Sequence, residues 1–162
     1  MRNEEEFLNS TAIPLYRKGK EIMEVVLKIA ELIPGDNEPL QDVKADMISD
    51  AAQLTVKVAG ASRAELYDLQ MEAATIIRKA ARDLMVTNHS LEMFGFKDVE
   101  YFQIVRDLLK EYRLLFIDWV SSFDPWNYIT DRWGLFNPPG VGPFDKDSDD
   151  GIPFEGNLPD ED

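Results

Sequence analysis

The chain has 162 residues, of which 44% are hydrophobic and 30% charged, the composition of one globular domain with a single sizeable core. With 17 Lys/Arg against 31 Asp/Glu the net charge is −14, so the surface as a whole repels phosphate backbones and anionic lipid. Zero cysteines exclude disulfides, thiol catalysis and cysteine-bound metal.

Residues 1–12 read as a flexible acidic lead. No apolar stretch follows Glu6 and no run approaches the ~20 residues of a membrane span, so the expectation is no secretory leader, no membrane partner and a cytoplasmic location. Ser10-Thr11-Ala-Ile-Pro14 opens a first helix, with the proline where its missing N–H costs nothing. Leu15, Gly19, Ile22, Val26, Ile29 and Ile33 then recur at three- and four-residue spacing. Arg17, Lys18 and Lys20 form a basic cluster that reads as a solvated face.

Pro34-Gly35-Asp36-Asn37 is a stop and turn. A second helix is expected from about Glu38 to Gly60, with Leu40, Val43, Met47, Ala51, Leu54, Val58 and Ala61 on one face. Its small residues permit close approach by a neighbouring helix. Asp42, Asp46 and Asp50 stand four apart and read as a solvated stripe in preference to a cation site. Ser62-Arg-Ala-Glu65 matches a capping box, so the chain is expected to turn at Gly60 to Ser62 and start a third helix that runs to about Thr87.

In that helix Leu66, Leu69, Ala73, Ile76, Ala80 and Leu84 form one apolar row. Tyr67, Ala74, Ile77, Ala81 and Met85 widen it to about half the circumference, against the ~100° a surface helix needs. The excess makes Tyr67, Met71, Ala74, Ile77, Ala81 and Met85 the candidate subunit contact. Lys57, Glu72, Arg78 and Arg82 are the candidate polar network between helices. His89, the only histidine, reads as a helix-end cation, and the Glu-x-x-His pattern of di-iron bundles is absent.

Asp98 is placed to cap a fourth helix from Val99 to Phe123. Phe102, Val105, Leu109, Tyr112, Phe116, Trp119 and Phe123 give it a heptad seam of large side chains opposite the small residues of the second and third helices. From Asp124-Pro125 the periodicity ends. Trp126, Tyr128, Trp133, Leu135 and Phe136, in the segment 125–136, are apolar enough to dock on the bundle or on a neighbouring subunit. Residues 137–162 hold eight Asp/Glu and one Lys and read as a disordered acidic tail. Asp145 to Gly156 fails as a calcium loop, because glycine stands seventh instead of sixth and Gly156 occupies the place of the closing glutamate.

These elements make an all-α, up-down antiparallel four-helix bundle over residues 13–124. Its opening Tyr16-Arg-Lys-Gly-Lys20-Glu-Ile-Met-Glu, its Leu32-Ile33-Pro34, the segment Met47 to Gly60 and the ending Phe116-Ile-Asp-Trp119-Val-Ser-Ser-Phe123-Asp124 resemble the ribosomal-RNA intervening-sequence proteins. That bacterial superfamily includes the accessory variability protein of diversity-generating retroelements. Lys57-Val-Ala-Gly60-Ala, Leu66-Tyr67 and Met71-Glu72 through Ala80-Ala81-Arg82 are nearest to its uncharacterised members. The resemblance implies a ring-like, five-fold homo-oligomer and, for the retroelement branch, an accessory role bound to a reverse transcriptase and RNA through a basic surface. This chain departs from that pattern: residues 1–136 carry sixteen Lys/Arg against twenty-three Asp/Glu, so nucleic acid is not an expected partner.

No nucleophile–base pair, cofactor motif or metal constellation stands out. The leading expectation is therefore a non-catalytic, homo-oligomeric scaffold or partner-binding protein. A nucleic-acid accessory using Arg17, Lys18, Lys20, Lys57, Arg78, Lys79 and Arg82 is the second reading. An enzyme with Glu72, Arg78 and Arg82 beside Tyr67 in a polar pocket is the third.

Overall fold

The turn before the first helix is set by Asn9. Its carboxamide oxygen accepts the Thr11 and Ala12 N–H groups at 3.2 and 2.8 Å, so the capping side chain lies just upstream of the expected Ser10-Thr11. Helix α1 (Ala12–Glu31) follows, and Leu15, Gly19, Ile22, Val26, Ile29 and Ile33 are all buried. In the computed structural model, which describes residues 4–147, every regular element is helical. The stretch expected as a flexible lead holds contacts there: Glu4–Phe7 form a 3₁₀ turn, Leu8 is buried, and Glu5 meets Arg17 at 2.9 Å. Residues 1–3 lie outside the described residues.

Helix α2 (Glu38–Ala64) is capped by Asn37, whose side chain accepts the Leu40 N–H at 3.1 Å. The expected face, Leu40 through Ala61, is buried throughout. The expected end is wrong. The helix does not turn at Gly60, and Ser62 caps nothing: its hydroxyl donates back to the Val58 carbonyl at 2.9 Å inside α2. Glu65 carries the turn itself, with φ +49°. Glycine inside a helix costs only about 1 kcal/mol, and continuing the helix through it places Ala61 on the buried α2 seam.

Helix α3 (Tyr67–Met85) therefore starts without a side-chain cap of its own. Its first N–H is satisfied from far along the chain. The Asn127 carbonyl accepts Tyr67 N–H at 2.9 Å, and the Asn127 carboxamide donates to the Glu65 carbonyl at 3.0 Å. A short helix α4 (Thr87–Met93) and a 3₁₀ turn (Val99–Tyr101) precede α5 (Phe102–Ser121). The fourth long helix thus begins three residues later than expected, and Asp98 makes no capping bond. The α5 seam is buried as expected at every position except Phe116, which is half-buried.

The four long helices close a cycle of neighbours: α1 packs on α2 and α5, and α3 packs on α2 and α5. At the α1–α2 contact Gly19 lies so close to α2 that a Cβ there would come within 2.9 Å of the Leu54 carbonyl oxygen. That same oxygen accepts the buried Tyr112 hydroxyl of α5 at 2.8 Å, so three helices meet at one backbone atom. At the end of α5 the Trp119 ring stands edge-on to Phe123 with centroids 4.8 Å apart. The seam between α3 and α5 is by far the loosest of the four.

Beyond α5 the chain is ordered by carboxylates. Asp131 accepts the N–H groups of Phe136, Trp133 and Leu135 at 2.8, 2.9 and 2.9 Å, and these bonds hold its carboxyl below the usual range. Residues 137–147, expected as disordered, form turns tied to this loop. Arg132 donates to the Pro143 and Asp145 carbonyls, and Asp147 accepts the Thr130 N–H. Residues 148–162, most of the expected disordered tail and of the calcium-like sequence, lie outside the described residues. No described helix is long and apolar enough to cross a membrane.

Candidate functional site: the groove between α3 and α5

The loose seam leaves an apolar groove of about 370 Å³. One wall is α3, with Ile77, Ala81 and Met85; the other is α5, with Leu109, Phe116 and Ile117, and the Tyr112 ring forms part of the floor. Across the seam the small Ala81 of α3 stands opposite the bulky Phe116 and Tyr112 of α5, so the two walls are unequal in bulk. Arg78 and Arg82, one turn apart on α3, and Arg113 on α5 rim the groove. All three are exposed, and none forms an ion pair with a described carboxylate.

The expected subunit contact divides in two. Ala74 and Ile77 are 4% and 0% exposed and belong to the chain's own core, so they are not a surface. Tyr67, Met71, Ala81 and Met85 are half-buried. Conversely, Leu69, expected on the inner row, is 43% exposed, and Ile76 and Ala73 are only half-buried. Relative to the expected orientation, helix α3 turns Ala74 and Ile77 inward and Leu69 outward.

The four residues expected as one polar network are not brought together. Lys57 and Glu72 line a shallow cleft between α2 and α3, whereas Arg78 and Arg82 line the groove on the other flank. Tyr67 meets the Asn127 carbonyl through its N–H, and Glu72, Arg78 and Arg82 do not gather beside it in one pocket. Several cations of the basic set are engaged by carboxylates: Arg17 by Glu5, Lys18 by Glu21 and Glu111, and Lys79 by Asp83.

In the segment 125–136 the backbone is tied to the bundle while its aromatic side chains are mostly not covered. Trp133 and Leu135 are 93% and 76% exposed and Trp126 is exposed, while Tyr128 and Phe136 are half-buried. Trp133, Leu135 and Phe136 border a cleft against Glu72, Thr75 and Ile76 of α3.

A second, polar cleft lies between α2 and α3, with Asp46, Asp50, Lys79 and Asp83 on its walls. Asp42 and Asp46 are exposed, in keeping with a solvated stripe, but Asp50 is half-buried. Burial, and then the Asp83 and Asp46 charges, push its carboxyl up to about 6 against the opposing pull of Lys79. Among the described residues no group of three or more His, Asp or Glu side chains converges in a metal-holding geometry.

Arg113 is the groove residue the sequence reading did not single out. It stands four residues from both Leu109 and Ile117 and so shares their side of the helix. Compared with protein-family models, with curated proteins and with solved structures, the chain shows no match.

Proposed function

We propose that this chain is a non-catalytic, homo-oligomeric scaffold, an up-down antiparallel four-helix bundle whose copies meet through the α3–α5 face. The observation that carries the reading is the loose seam. It leaves Ala81, Met85, Phe116 and Ile117 without the inter-helix cover that the other three seams provide. Ile117 on the α5 wall is itself 45% exposed. Isolated exposed apolar residues are ordinary, but this one borders a groove with Ala81, Met85 and Phe116. A stable interface buries roughly 800 Å² per partner, so a second copy has to cover both helices and not the groove alone.

Native mass spectrometry and light scattering at micromolar concentration test this reading. The chain is expected to assemble, and Ile117→Glu, at an exposed position that leaves the core intact, is expected to return it to monomer. A wild-type chain that is monomeric at that concentration overturns the proposal.

A further inference from the structure

Helix α3 carries opposite charge on its two flanks. Toward the groove it presents Arg78 and Arg82, joined by Arg113 of α5, and no carboxylate lines that groove. Its other flank presents Asp68 and Glu72 to a cleft of about 490 Å³, which Asp131, Trp133, Leu135 and Phe136 border from the loop after α5. Lys57 is the one described cation that lines this cleft or the shallow one beside it. Neither Asp68 nor Glu72 forms an ion pair with a described cation. Asp68 Oδ1 is shielded from solvent and accepts no hydrogen bond among the described residues, an unmet acceptor of the kind folded proteins rarely keep.

The flanks also match in spacing and in polarity. Asp68 and Glu72 stand four residues apart, as do Arg78 and Arg82, so each pair spans about 6 Å along the helix axis. The groove is concave and apolar, while Trp133 and Leu135 are large apolar side chains that project into solvent beside the two carboxylates. Tryptophan and arginine are among the residues that most often anchor a protein contact, and a guanidinium group is attracted to the face of an indole ring. Groove laid on groove would instead set Arg78, Arg82 and Arg113 against the same three side chains of the second copy. Like charges brought together in that way weaken a contact.

We propose that copies of this chain meet head to tail: the arginine-rimmed α3–α5 groove of one copy receives the Asp68–Glu72 flank and the Trp133–Leu135 loop of the next. Trp133 and Leu135 supply the apolar occupant of the groove, and Asp68 and Glu72 supply the carboxylates for its rim. The pairing rests on the assembly reading given above and goes beyond it by naming the surface that covers the groove. Because the contact joins two different patches, each copy keeps one patch of either kind for a further neighbour, so assembly does not end at a pair.

Native mass spectrometry of the full chain across a concentration series tests it. The wild type is expected to form assemblies larger than a dimer. Arg78→Glu with Arg82→Glu, and separately Glu72→Lys with Trp133→Ala, alter only exposed side chains. Each pair of changes should raise the concentration at half-assembly roughly a hundredfold. An equimolar mixture of the two variants should associate again, because each retains the patch that the other has lost. Circular dichroism checks that both fold, and Trp133→Ala alone, at an almost wholly exposed position, should still raise the half-assembly concentration about tenfold. Either variant assembling as the wild type does, a wild type that stops at the dimer, or a mixture that stays monomeric overturns the head-to-tail pairing and leaves the assembly reading standing. A monomeric wild type overturns both.

Discussion

Replacing Gly19 with alanine sets two effects of known sign against each other. In the middle of α1 alanine is favoured over glycine by about 1 kcal/mol, because it lowers the backbone entropy lost on folding. Against this, the new Cβ would sit 2.9 Å from the Leu54 carbonyl oxygen and 2.9 Å from Thr55 Cγ2. The methyl can give; the backbone carbonyl cannot, short of moving α1 away from α2. Overpacking of this kind costs about 1–3 kcal/mol. Displacing the Leu54 oxygen also weakens its buried bond from Tyr112, roughly 1 kcal/mol more. The net expectation for Gly19→Ala is a loss of about 1–3 kcal/mol, read as a Tm lowered by roughly 3–10 °C for a chain of this size. Adding Thr55→Ser removes the methyl while keeping the hydroxyl bond to the Ala52 carbonyl, and should recover only a minor part. Gly60→Ala is the matched control: a Cβ there meets nothing within 4 Å, so this variant should be stabilised by about 0.5–1 kcal/mol. Thermal melts of the three variants by circular dichroism decide the matter. A Gly19→Ala protein more stable than wild type would refute the close approach of α1 to α2, and a destabilised Gly60→Ala would restore the turn that the capping-box sequence suggested.

Other expectations follow from single side chains. Glu65→Gly relieves a positive φ and should raise stability by up to about 1 kcal/mol, seen as a higher denaturation midpoint; no gain would mean that residue 65 is not strained. Tyr112→Phe leaves the Leu54 carbonyl without its partner in a buried site and should cost about 1–2 kcal/mol in urea melts. For Asp50 the folded-state carboxyl titrates near 6 against 3.8 for the free group, so the folded state binds the proton more tightly. Its contribution therefore favours folding at low pH and is lost as pH rises from about 4 through 6. Asp50→Asn should flatten that part of the stability–pH curve and melt higher than wild type at pH 7. An unchanged curve would show that Asp50 is freely solvated. Asp131 has the opposite sign: its carboxyl is held low, so the 131–136 loop should loosen as pH falls below the normal carboxylate range, and Asp131→Asn should mimic this at neutral pH in the exchange rates of the Trp133 and Phe136 amides.

The long helices were legible because each buries one side along most of its length. Leu40 through Ala61 on α2 and Leu15 through Ile33 on α1 repeat at a spacing that only a helix places on one side. The end of α2 was not legible. Gly60, Ser62 and Glu65 carry strong local signals for a turn and a cap, yet the burial of Ala61 and a cap delivered by Asn127 decide the boundary, and neither is local in sequence. The wheel of α3 shows an apolar arc too wide for one seam but not which edge of it is covered: Ala74 and Ile77 are buried in the core, and Leu69 is exposed. The groove was half visible, since the excess apolar width of α3 is readable from a helical wheel. Which part of that excess stays uncovered depends on the relative bulk of Ala81 and Phe116 across a seam between helices far apart in the chain.

The bond pair at Asn127 has a bearing on how the chain acquires its structure. The junction between α2 and α3 is locally incomplete: until the residues after α5 arrive, the Tyr67 N–H and the Glu65 carbonyl have only water to bind. A chain emerging from synthesis can form the α1–α2 pair early, whereas the bend into α3 gains its two native hydrogen bonds only after some sixty further residues have been made. The bend is thus clasped from the far end of the chain. The hydrogen-exchange protection of one amide, that of Tyr67, reports when it shuts.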